Sequence, residues 1–155
     1  MRKEFYLNRA VQMAKKGLEH DGGPFGAVIV RGGEIIAEAY NEVTLLNDPT
    51  AHAEIMAIRK ACDTLGTYIL SDCTIYCSSE PCSMCMSAIY WARIPEVYFA
   101  NAKDAAGQIG FKDEQIYREL ALPHPAKSII CQQMISEDAL QVLLDWRNNP
   151  KASRY

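Results

Sequence analysis

The chain has 155 residues with 16 basic and 19 acidic side chains, a formal charge of −3 and six cysteines; scaling by mass lets roughly 69% of its surface leave water on folding, enough for one domain without disulfides. The acidic balance disfavours nucleic acid as a partner, and the longest apolar run, Ala88 to Ala92, is far too short for a membrane span. No secretion signal opens the chain, so a cytoplasmic setting is expected, where the cysteines read as packed thiols, nucleophiles or metal ligands.

Phe5, Leu7, Ala10, Val11, Met13, Ala14 and Leu18 recur at helical spacing and predict an amphipathic first helix ended by Gly17 and Gly22-Gly23. Gly26 to Arg31 and Glu34 to Tyr40 are Val/Ile/Ala-rich and flank Gly32-Gly33, the pattern of an antiparallel hairpin. Asp48-Pro49-Thr50 signals the start of a helix over Ala51 to Cys62, stopped by Gly66. Cys73 to Cys77 reads as a strand, Pro81 or Cys82 to Ala92 as a helix and Glu96 to Ala100 as a strand, an alternation that implies parallel pairing. A short helix near Asp113 to Leu120, a fifth strand over Ser128 to Met134 and a last helix from Glu137 to Arg147 complete the pattern. The expectation is one α/β domain over residues 1–155, a three-layer α/β/α sandwich with a mixed five-stranded sheet.

Two motifs carry chemistry. His52-Ala53-Glu54 opens the second predicted helix, and Pro81-Cys82-Ser83-Met84-Cys85 opens the third; H-x-E followed by P-C-x-x-C is a zinc-deaminase signature. Two thiolates with two residues between them plus one imidazole make three tetrahedral ligands for Zn2+, one ion per subunit, and leave the fourth position to water, as catalysis requires. Residues two apart on a helix do not share a face, so His52 and Glu54 converge only if the metal lies beyond the helix start. There Glu54, a non-ligand, hydrogen-bonds the water and carries its proton.

The competing readings are a thioredoxin-like C-x-x-C pair and a non-catalytic zinc module whose metal only stabilises the fold. The latter normally wants a fourth protein ligand, and none is evident in the sequence. Cys62, Cys73, Cys77 and Cys131 lack ligand spacing and read as small buried residues, and His20 and His124 as ordinary surface.

From Phe5 to Tyr155 the chain resembles the cytidine-deaminase-like zinc hydrolases and, within them, the small bacterial guanine deaminases. The likeness is carried by Gly22 through Val30, Asn47 through Glu54, Glu80 through Cys85, Ala88 through Ala92, Asp104-Ala105-Ala106, Gly110-Phe111 with Asp113, and the terminal Tyr155. It implies hydrolysis of the 2-amino group of a small purine, guanine, to give xanthine and ammonia in purine catabolism. It also implies that Asn41 hydrogen-bonds the purine, that the Ala53 amide faces the base, and that Phe25 and Trp91 wall the pocket. Asp113 matches a second carboxylate serving the departing amine, with Asp104 and Glu114 as nearby alternatives. Lys112 stands where relatives can carry another acidic residue, and Ser83 where proline is common between the cysteines.

By the same resemblance the tail from about Asn148 to Tyr155 is exchanged within a homodimer, so that Tyr155 closes over the partner's pocket. Other substrates compatible with the zinc core are guanosine, another aminated purine or triazine, cytosine, and adenosine in tRNA.

Overall fold

Tyr6, Ala10 and Met13 fall on one side of a helix and are buried, which seats α1 (Arg2–Glu19) against one face of a sheet. The computed structural model describes residues 2–111 and 113–155; Met1 and the departure noted at Lys112 lie outside the described residues. Two compact units divide the chain, Met1–Tyr117 and Arg118–Tyr155.

The first unit holds a four-stranded sheet in the order β2-β1-β3-β4, made of β1 (Gly23–Arg31), β2 (Glu34–Asn41), β3 (Cys73–Ser79) and β4 (Glu96–Asn101). β1 pairs antiparallel with both β2 and β3, whereas β3 and β4 are parallel, so the sheet is mixed. Gly32 and Gly33, at φ +58° and +89°, turn the expected hairpin. Alternate residues of the strands face opposite layers. Ala27, Ile29, Ala37, Ala39, Ile75 and Cys77 pack with α3 (Ala53–Leu65) and α4 (Ser83–Trp91), while Val28, Val30 and Tyr76 pack with α1. The three layers are those the sequence predicts.

Small residues let the layers close. A Cβ on Gly26 would lie 2.1 Å from the Ala10 carbonyl oxygen and 2.5 Å from the Ala14 nitrogen, so only glycine admits α1 this near to β1. Two short helices were not foreseen: α2 (Val43–Leu46) and α5 (Lys103–Gln108). Both are too brief to show a periodic apolar face. The helix expected from Ala51 begins instead at Ala53, because Asp48 uses its carboxylate to close a turn on Thr50, accepting from the amide at 2.8 Å and from the hydroxyl at 2.6 Å. Gly66 ends α3 at φ +63°. α6 (Asp113–Ala121) follows α5 and runs across the unit boundary.

The second unit contains a 3₁₀ turn (His124–Ala126) and α7 (Glu137–Asn148), whose cap Ser136 accepts from the Ala139 amide at 3.2 Å. The expected fifth strand does not form: Ser128 to Met134 makes no strand among the described residues. β-branched composition favours a strand only where a partner edge completes the ladder. Cys131, expected to be buried on that strand, is exposed; Cys73 and Cys77 are buried, and Cys62 is half-buried. No helix among the described residues is long and apolar enough to cross a membrane.

Candidate metal centre

His52 is the residue before α3, not a member of it. Its backbone is extended (φ −65°, ψ 155°) and its side chain makes no cap, which frees the ring to point away from the helix axis. Glu54, inside the first turn, is 7% exposed. The convergence of two residues that could not share a helical face is therefore achieved at the helix start, as the spacing demanded. Cys82 precedes α4 in the same extended geometry (φ −67°, ψ 174°), and Cys85 is fully buried in its first turn. Two helix amino termini thus meet at one place, where their partial positive charge favours anionic ligands.

The ligand atoms of His52, Cys82 and Cys85 all lie within 4.8 Å of one another. His52 Nδ1 stands 3.5 Å from each sulfur. Zn–S bonds of about 2.3 Å and a Zn–N bond of about 2.0 Å at tetrahedral angles separate nitrogen from sulfur by roughly 3.5 Å, so the donor set fits zinc by type and spacing. No fourth His, Cys, Asp or Glu joins the group among the described residues. Glu54 Oε2 is 3.4 Å from the Cys85 sulfur, beside the triad.

Charge follows from these contacts. The Cys85 thiol pulls Cys82 down to about 4, with the His52 ring adding to the pull against the cost of burial. Cys85 is pushed up by the same bond and by its own burial. His52 is raised by Cys82, and burial raises Glu54. Cys77, fully buried in the core, is held well above the usual thiol range by desolvation, with the Glu54 carboxylate adding to the shift.

A cleft opens beside the triad, lined by Phe25, Asn41, His52, Glu54, Glu80, Cys82, Ala106, Phe111 and Asp113. Phe25 and Asn41 come from β1 and β2, His52, Glu54, Glu80 and Cys82 from the two metal motifs and the residue pair before Cys82, and Ala106, Phe111 and Asp113 from the arm that follows β4. Asn41 ends β2 and is 6% exposed, and its Oδ1 accepts from the Val43 amide at 3.2 Å. Gly23 makes room for it, since a Cβ there would meet Asn41 Cγ at 2.8 Å. Phe25 meets Phe111 edge to face, centroids 4.8 Å apart. Ala53 is buried as the first residue of α3, and its amide belongs to the unpaired set of a helix start.

Asp113, at the start of α6, lines the cleft; Asp104 and Glu114 are exposed and are not among its lining residues. Trp91 closes α4, 69% exposed, outside that lining. Tyr155 belongs to the second unit, its ring 6.3 Å from that of Trp146. Glu80, Ala106 and Phe111 were given no role from sequence. The first had a signal, its place two residues before Cys82, whereas Ala106 and Phe111 reach the cleft only through the path of the chain after β4.

Residues 1–101 match the cytidine and deoxycytidylate deaminase zinc-binding region. The chain is 48% identical to the guanine deaminase of Bacillus subtilis strain 168 over the whole of both chains. It superposes on the X-ray structure of that enzyme with a TM-score of 0.95 over 98% of each chain. A structure of guanine deaminase from Nitrosomonas europaea is 30% identical, with a TM-score of 0.67 over 70% of this chain and 63% of that one. The tRNA-specific adenosine deaminase of Aquifex aeolicus is 47% identical across 64% of this chain and 66% of its own.

Proposed function

The chain belongs to the cytidine and deoxycytidylate deaminase zinc-binding family, and from that premise we propose that it is a zinc-dependent hydrolase converting guanine and water to xanthine and ammonia. The observation that carries the reading is the joint presence of a three-ligand site with Glu54 beside it and a full-length likeness to a guanine deaminase. That likeness includes the arm and tail beyond residue 101, whereas the likeness to the tRNA enzyme spans 64% of the chain. A formal charge of −3 also offers little to a tRNA backbone.

His52, Cys82 and Cys85 hold the ion, which when bound supplies a Lewis acid that makes water a nucleophile near neutral pH. Glu54, buried beside the ligands, takes a proton from the attacking water and delivers it to the ring nitrogen next to C2. Asp113 serves the amine as the C2–N bond breaks, so that two carboxylates divide the proton traffic. Asn41, its oxygen committed to Val43, turns its NH2 donors toward an acceptor on the purine. Phe25 stacks on the flat base, and the Ala53 amide faces its edge. Trp91 and Tyr155 complete the pocket in the assembled enzyme.

That enzyme is a cytoplasmic homodimer, one deaminase domain per chain with the carboxy-terminal tail exchanged. Thiolate ligands require reduced cysteines, which suits that compartment. Support for the exchange comes from the second unit itself, whose Ile129, Ile130, Met134 and Ile135 are each at least 76% exposed, more apolar surface than a solvated end would carry.

The test is product analysis by mass spectrometry after incubation of the zinc-loaded protein with guanine, guanosine, 2,6-diaminopurine, cytosine and an aminated triazine. Guanine is expected to be consumed fastest and to yield xanthine. Stoichiometric zinc with no xanthine formed, or a faster reaction on another member of the panel, overturns the reading.

A further inference from the structure

Glu80 sits in the loop between β3 and α4, two residues before Cys82. Its amide donates to the Asn101 carbonyl at 2.8 Å, and its Oε2 accepts from the Lys103 amide at 2.8 Å. α5 begins at Lys103, and the residue before it, Ala102, has no side-chain acceptor. Glu80 therefore provides from 23 positions away the capping oxygen that a helix start needs. The next residue is fastened too: the Pro81 carbonyl accepts from the Tyr117 hydroxyl at 3.5 Å, and the Lys103 ammonium lies 3.3 Å from the centre of the Tyr117 ring. Both ends of the arm from Lys103 to Tyr117 are thus tied to the two residues that precede a metal ligand, and the arm between carries Phe111 and Asp113 into the cleft.

We propose that Glu80 is a positioning residue for the deamination, holding the 103–117 arm through the Lys103 amide so that Asp113 faces the same cleft as Glu54. The inference rests on the guanine deaminase reading of the site. The bond links the cysteine loop to the arm that bears the second proton carrier, so one carboxylate helps to set both halves of the cleft. Displacing a catalytic group by about 1 Å can cost on the order of 100-fold in rate, which is the scale of effect available to such a tie.

The test compares Glu80→Ala, Glu80→Gln, Asp113→Asn and the Glu80→Ala/Asp113→Asn double variant. Glu80→Ala is expected to keep one zinc per chain and to lose about 10- to 100-fold in kcat. Amide hydrogen exchange over residues 102–117 should accelerate while exchange in α3 stays as it was. Glu80→Gln keeps an acceptor at the same reach and should recover to within about threefold of the parent. The double variant should be no slower than Asp113→Asn alone, since the misplaced carboxylate is already gone. Should Glu80→Ala be insoluble, Lys103→Pro deletes the same bond from the donor side at a helix position that tolerates proline, and should reproduce the loss. Unaltered exchange over 102–117, additive losses in the double variant, or a Gln variant as damaged as Ala would each overturn the proposal. Exchange and zinc content are read without substrate, so a failure of guanine to react refutes the functional reading separately.

Discussion

His52 and Glu54 are two positions apart and lie beside one metal site because the first is outside α3 and the second inside it. In the proposed mechanism that division separates holding from proton transfer. Glu54→Gln preserves size and the contact with the Cys85 sulfur but cannot take up a proton, so zinc content and thermal midpoint should stay near those of the parent while kcat falls about 1,000-fold. Zinc by plasma mass spectrometry and xanthine formation measured on one preparation check this, and full activity in that variant would falsify the assigned role. Asp113 is the carboxylate of the 104–114 region that lines the cleft. Asp113→Asn should lower kcat about tenfold or more with zinc retained; unchanged kinetics would move the role to Asp104 or Glu114, both of which are exposed.

At the scale of elements, β1 is the hub, with β2 and β3 on its two sides and helices over its two faces. Its tolerance for substitution is correspondingly small. Gly26→Ala would drive a methyl to 2.1 Å from the Ala10 carbonyl oxygen and 2.5 Å from the Ala14 nitrogen. Both are backbone atoms of α1, so relief requires the helix to lift, and the expected cost is about 3 kcal/mol, measured as a lowered urea midpoint with unchanged slope. The elements flanking the site were legible because each carries its own local signal: helical spacing in α1, glycines at Gly32-Gly33 and Gly66, and ligand spacing in Cys82 and Cys85. Asn41, Phe25 and Asp113 were placed by family likeness rather than by pattern, and the cleft gathers all three. What stayed hidden had no local signal. Glu80 is an ordinary acidic residue until β4 returns beside β3 and brings Lys103 to it. The strand expected at Ser128 to Met134 had the right composition, but a ladder needs an edge to join, and composition does not say whether one is supplied.

For the whole molecule, the decisive question is whether a subunit finishes its own pocket. The second unit exposes Ile130 and Ile135 at 93% and 91%, and its Trp146 and Tyr155 rings meet at 6.3 Å, so this end of the chain has internal order while leaving apolar surface uncovered. If Tyr155 closes the partner's cleft, a chain truncated after Pro150 should keep zinc and the dimer yet lose at least tenfold in kcat. A truncated chain with intact Glu54 could then be rescued by a partner that is itself inactive. Co-expression of the truncated chain with full-length Glu54→Gln pairs each intact Glu54 in a mixed dimer with a Tyr155 from the other subunit. Random pairing makes half the dimers mixed, each with one complete site, so about a quarter of the parent activity should return. Neither chain expressed alone should show it. A tail that folds back over its own cleft predicts no recovery at all, because no subunit in the mixture would carry both Glu54 and Tyr155. Measured xanthine production per zinc in the co-purified dimer therefore separates an exchanged tail from a private one without reference to any distance in the structure.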